Sequence, residues 1–132
     1  MIPLAQIEAA REQLRADGNT YWATQVDVLD KEAKAWQAAA AANPAESVQL
    51  LRQAADEEDA VEKLPVTPGP VVPAREQLGE LLLQLNQPAE ALREFRAALV
   101  LAPGRRGALL GGAQAAGRMG DGKTAQEMRA RL

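Results

Sequence analysis

Residues 117–124, GRMGDGKT, satisfy the spacing G-x-x-x-x-G-K-[ST]. In that arrangement backbone N–H groups cradle phosphates, the lysine reaches the outer phosphates and the hydroxyl meets magnesium. The chemistry also needs a buried strand before the loop. Here the loop follows GALLGGAQAA, which has helical character and no β-branched residue, and only eight residues follow Thr124. That is too few for a second strand bearing a magnesium-holding carboxylate. Two acidic groupings are the other candidates: Glu76 with Glu80, one helical turn apart, and the run Asp56-Glu57-Glu58-Asp59. Such carboxylates can do acid–base work or hold a hard cation. The run lacks the glycine turn and alternating spacing of a calcium loop, so it reads as a solvated helix end. There is no cysteine and no histidine, which removes thiolate chemistry, the commonest general base and the commonest metal ligand. Ser47 therefore belongs to no standard nucleophilic triad. These residues imply no catalysis, no bound metal and no cofactor.

The elements carrying these residues are helical. Alanine is about a fifth of the 132 residues, aromatics are only Tyr21, Trp22, Trp36 and Phe95, and few residues are β-branched, which favours helix over sheet. The start MIPLAQIEAAREQ resembles no secretory leader, and no window approaches the ~20 apolar residues that span a bilayer. The expectation is a cytoplasmic chain with no membrane partner. Residues 1–92 hold 7 basic and 15 acidic side chains, whereas residues 93–132 hold 8 and 3. Overall acidity argues against nucleic acid, whose phosphates need clustered cations.

An internal repeat organises the chain. PAESVQLLRQAADEED from Pro44 and PAEALREFRAALVLAP from Pro88 share proline, alanine, glutamate and arginine positions at an offset of 44, and GKTAQEMRARL from Gly122 follows 34 residues later. Each copy opens like a helix. Asn43, Gln87 and Asp121 take the cap, Pro44 and Pro88 the first helical position, and Glu46 and Glu90 the third. A helix-like segment precedes each copy, and PLAQIEAAREQLRAD stands before them all, giving about seven helices. The stripe Trp22, Val26, Leu29, Ala33, Trp36, Ala40 reads as a seam for neighbouring helices, although the repeat alignment sets Trp36 opposite Glu80. Seven of the ten glycines lie between 104 and 122. Gly107, Gly111 and Gly112 would let helices approach closely, at about 1 kcal/mol each relative to alanine.

The segment from Val72 to Pro103 resembles a tetratricopeptide repeat, through Leu78-Gly79, Leu82, Ala91, Phe95, Ala98 and Pro103 at that family's spacing. Arg75 and Leu82 depart from it where tryptophan and tyrosine are usual. The resemblance implies an all-α, right-handed solenoid of helix-turn-helix hairpins. Its parts are N-terminal helices (1–27), a degenerate repeat (28–59), a proline-rich insert (60–71), the best-formed repeat (72–105) and a C-terminal partial repeat (106–132). EDAVEKLPVTPGPVVPARE resembles an insert in the C-terminal parts of larger bacterial repeat proteins. In that register the surplus of ten residues falls on LPVTPGPVVP, an extended inter-hairpin spacer with Gly69 available for a left-handed turn.

The resemblance also implies non-catalytic binding of a protein or peptide on a concave face formed by Glu32, Trp36, Glu76, Glu80, Leu83, Gln84, Leu110, Gln114 and Arg118. Relatives that grip a C-terminal carboxylate carry basic and amide groups there. Glu76 and Glu80 instead suit a basic or extended neutral segment. Two alternatives stand beside this one. A homo-oligomeric module would pair through an uncapped apolar edge at Ala125, Met128 and Leu132, and a nucleotide-binding protein would use residues 117–124. The last has a direct test. Added ATP and magnesium should leave the thermal midpoint unchanged, because a ligand at a hundredfold its Kd stabilises by about 2.7 kcal/mol. A clear rise that Lys123→Ala abolishes would restore the nucleotide reading.

Overall fold

The computed structural model describes residues 3–61 and 69–132. Among them lie seven α-helices and no strand: α1 (Leu4–Ala16), α2 (Thr20–Ala40), α3 (Pro44–Ala60), α4 (Ala74–Gln84), α5 (Pro88–Leu101), α6 (Arg106–Arg118) and α7 (Gly122–Ala130). Most of the proline-rich insert lies outside the described residues. Of its described part, Val71 is exposed. The chain divides into two compact units, residues 1–74 and 75–132.

Four turns follow one design. Gly18, Ala42, Asn86 and Gly120 are the described residues with positive φ, at 73°, 58°, 57° and 78°. Each ends a helix in the left-handed conformation. The amide of the next residue bonds five residues back, Asn19 to Leu14, Asn43 to Ala38, Gln87 to Leu82 and Asp121 to Ala116, all at 2.8–2.9 Å. This pairing absorbs the carbonyls a helix end leaves over. The same residue caps the next helix. Asn19, Asn43 and Asp121 accept the amides of Trp22, Glu46 and Thr124, whereas Gln87 makes no side-chain cap. One residue thus closes one helix and opens the next, leaving the pair no room but to fold back.

In the first unit, α2 packs against both α1 and α3. Towards α3 the contact is made by small side chains: Ala35, Ala38, Ser47, Ala54 and Ala55 are buried together with Leu51, and the Ser47 hydroxyl donates to the Ala35 carbonyl at 2.7 Å. Towards α1 the contact is charged. Arg11 reaches Asp27 at 2.8 Å and Asp30 at 3.4 Å, and Lys34 bridges Asp30 at 2.7 Å and Glu8 at 2.8 Å. Lys31 joins Asp27 to Glu57 of α3. No residue of α1 is fully buried, so these ions and half-buried Leu4, Ile7 and Leu14 hold it.

The aromatic seam expected on α2 is not the buried face. Trp22 is 44% exposed and Leu29 is exposed too, while Trp36 is half-buried. The contact with α3 is taken by small side chains and that with α1 by ion pairs, and the stripe lies on the side left over. The acidic run on α3 also differs from expectation. Glu58 is buried and its Oε1 accepts the Ala74 amide at 2.9 Å. A carboxylate there satisfies an orphan N–H and favours the positive end of α4.

In the second unit, α6 touches a residue from each of the other helices at a glycine. The Phe95 ring, fully buried, fills the space where side chains on Gly79 and Gly111 would stand; a Cβ on Gly79 would lie 2.8 Å from the ring, and one on Gly111 closer still. Met128 of α7 packs against Gly112, and the Glu76 carboxylate of α4 against Gly107. Burying a phenylalanine contributes about 1.5–3 kcal/mol. Ala91 and Ala125, at the spacing of Ser47, are buried as well. Arg75, standing at the departure noted above, pairs with Glu94 of α5 at 3.0 Å.

Two measurements follow from these contacts. Gly117 meets nothing within 4 Å, so Gly117→Ala should stabilise by about 0.5–1 kcal/mol through helix propensity. Gly111→Ala should instead destabilise by about 1–3 kcal/mol, because the Phe95 ring must move. Equal effects in chemical denaturation would refute the packing. The second measurement is pH. Burial pushes the Asp27 carboxyl up, but hydrogen bonds involving Lys31, Glu57 and Arg11 outweigh it and hold it at about 2, below 3.8. A depressed carboxylate stabilises the fold above its unfolded value and ceases to do so as the pH falls through its folded one. Between pH 3.8 and about 2, α1 amides should therefore lose exchange protection before those of α2 and α3. Simultaneous loss would show that the ions do not secure α1.

Candidate interaction surface

Helices α4 and α6 run parallel. Glu76 meets Arg105 and Gly107 at one end, with its Oε2 accepting from Arg105 Nε at 2.6 Å. At the other, Arg118 donates to the Leu83 carbonyl at 2.8 Å. Between these contacts lies a depression of ≈ 400 Å³, lined by Glu80, Leu83 and Gln84 from α4 and by Gly107, Leu110, Gly111, Gln114 and Arg118 from α6. The helical spacing explains the lining: 80 and 84 are one turn apart, and 107, 111, 114 and 118 form one face. The two glycines leave the floor low, and Phe95 and Glu76 occupy the space beneath it.

Its chemistry is mixed. Leu110 is half exposed, Leu83 is buried in the wall, and Gln84 and Gln114 are exposed amides. Glu80 is the exposed carboxylate. Its surroundings first, and the nearby Glu76 second, push its carboxyl above the ordinary range. Arg118 supplies the cation, its guanidinium oriented by the Leu83 carbonyl. Such a surface offers amide hydrogen bonds, an aliphatic contact and one charge of each sign.

Six of the nine residues expected on a concave face line this depression: Glu80, Leu83, Gln84, Leu110, Gln114 and Arg118. Glu76 does not present itself there. It is 4% exposed, drawn inward by Arg105 and by the space over Gly107. Glu32 and Trp36 belong to the first unit. Glu32 is buried on α2, which is covered from two sides, so it too presents little surface. Gly107 and Gly111 are lining residues that sequence reasoning assigned only to packing, although their i, i+4 spacing marks a low strip on a helix.

The apolar edge expected at Ala125, Met128 and Leu132 is a correction. Ala125 and Met128 are buried, Met128 against Gly112, and only Leu132 is exposed. Because α7 folds back on α6, the stripe meant for a second copy is used inside the unit. Residues 117–124 are the last two residues of α6, the α6–α7 turn and the first residues of α7. Gly120 is left-handed, Asp121 accepts the Thr124 amide at 3.1 Å, and Lys123 is exposed near Glu127. The Asp121 carboxyl, held below its ordinary range by Thr124, occupies the helix N-terminus that a phosphate would need. A helix, not a strand, precedes this segment.

Among the described residues no cluster of three potential metal ligands occurs, and no helix is long and apolar enough to cross a membrane. Comparisons with protein-family models, with curated proteins and with solved structures found no match.

Proposed function

We propose that the chain is a tetratricopeptide-like module of hairpins belonging to a right-handed solenoid, and that it acts without catalysis, as a scaffold that binds an extended protein segment between α4 and α6. The observation that carries this reading is the α4–α6 depression, where an exposed carboxylate, an oriented guanidinium, two amides and two leucines line one concave surface. Further support comes from the left-handed turns at Ala42, Asn86 and Gly120, which recur at the intervals of the sequence repeat. Burial of Leu78, Leu82, Ala91, Phe95 and Ala98, the residues that carry the family resemblance, points the same way. The glutamines would meet the partner's backbone and Leu110 an aliphatic side chain. Glu80 favours a cationic residue, since Glu76 beneath it is already paired with Arg105.

A labelled peptide alternating lysine with leucine tests the reading by fluorescence anisotropy. The wild-type chain should bind it, and Glu80→Lys combined with Leu110→Asp should weaken binding by tenfold or more, about 1.4 kcal/mol, with helicity unchanged. Binding indifferent to both substitutions would overturn the assignment of the surface.

A further inference from the structure

A second concave surface lies on helices the first does not use. Helices α5 and α7 also run side by side in the same direction. Arg131 reaches the Pro103 carbonyl at 2.7 Å beyond their C-terminal ends, and Arg96, Leu99 and Val100 share a depression of ≈ 380 Å³ with Thr124, Glu127, Met128 and Arg131. The residues alternate along both helices at turn spacing, so the depression is a shallow trough between two ridges. Leu99 and Met128 are buried and form its apolar floor. Val100, 79% exposed, stands on its wall, and Leu101 beside it is exposed as well. A valine and a leucine presented to solvent at the end of a well-packed helix are apolar area that the unit itself does not cover.

The rim is cationic. Arg96 and Arg131 stand at opposite ends of the trough. Glu127, the one acid in the lining, lies 4.0 Å from Lys123 on the same helix, which offsets its charge. Asp121 senses Arg96 only as a minor influence, its carboxyl being held mainly by Thr124. The wider setting has the same sign: residues 93–132 carry 8 basic and 3 acidic side chains. The trough is therefore complementary to negative charge, the opposite of what Glu80 asks for on the α4–α6 surface.

We infer that the α5–α7 trough is a second docking surface, taking an acidic segment of a partner protein that carries an aliphatic side chain between its carboxylates. The aliphatic group covers the floor of Leu99 and Met128 and the side of Val100. The flanking carboxylates pair with Arg96 and Arg131. Arginine suits this role because its planar fork can meet a carboxylate through two parallel hydrogen bonds. Apolar burial supplies most of the affinity, and the arginines supply selection and approach. The inference is independent of the α4–α6 reading, since the two surfaces share no lining residue.

The test uses the full chain and two labelled peptides, one alternating glutamate with leucine and one alternating lysine with leucine. The trough should bind the acidic peptide. Arg96→Glu with Arg131→Glu should weaken it by tenfold or more, and Val100→Asp should do the same. Glu80→Lys should leave it unchanged, which separates this surface from the other. Binding should fall as salt rises, because exposed charges are screened. Unchanged helicity in each variant shows that the unit still folds, and Val100, being exposed, can be replaced without opening the core. No binding of the acidic peptide, equal loss of both peptides in the arginine variant, or concentration-dependent self-association that Val100→Asp abolishes would each overturn the inference.

Discussion

The Phe95 ring lies where two glycines leave room for it, Gly79 on α4 and Gly111 on α6. Any side chain at either position would push the ring aside, and any smaller residue at 95 would leave both helices facing a void. Interiors tolerate neither change well, because they are packed near crystal density. The second unit is arranged around that contact. With α5 held between α4 and α6, Glu76 falls over Gly107 and Met128 over Gly112, so one helix receives a residue from each of three neighbours. The α4–α6 depression is a by-product of the same arrangement. Glycines on α6 that admit residues from below also leave the surface low above.

The first unit solves a different problem. Its helices α2 and α3 meet through alanines, with Leu51 and Val28 as the larger buried side chains, so little apolar area remains to hold α1. Charge takes over. Asp27 and Asp30 are buried, and each is compensated from more than one direction by Arg11, Lys31 and Lys34. Burial first, and the neighbouring Asp27 after it, push the Glu57 carboxyl up against the lowering pull of Lys31. Such networks seldom add much net stability against an apolar alternative, but removing one member leaves the others buried and unpaired. They specify which faces meet more than they strengthen the meeting.

Reading the chain as helices was straightforward where local chemistry decides the outcome. Proline after a capping residue and glutamate in the first turn act over three or four residues. Accordingly, the expected and observed helices agree closely. Where a face points was less legible. Trp22 and Leu29 obey helical spacing as well as Ala23 and Ala35 do, and hydrophobicity favours the wrong set. What decides the buried face is that α3 meets α2 through small side chains and α1 meets it through ion pairs, which no spacing on α2 reveals. Glu58 was hidden for a similar reason. Within its run it is one of four acidic residues, and its partner, the Ala74 amide, lies sixteen residues away.

The helical character, the helix starts and the internal repeat are legible in the sequence alone, because caps and prolines act through bonds to atoms a few positions away. The family resemblance adds Phe95 as an interior residue and six of the residues that line the α4–α6 depression. Tertiary packing decides which carboxylates are available. Glu80 remains on the surface, whereas Glu76 is buried with Arg105 and Glu32 is enclosed on α2. Likewise it decided that Met128 is spent on Gly112 while Val100 is left outside. A side chain's period says which way it points along its own helix. What stands opposite it depends on how closely neighbouring backbones approach, and here the absent side chains of glycine and the small ones of alanine set that distance.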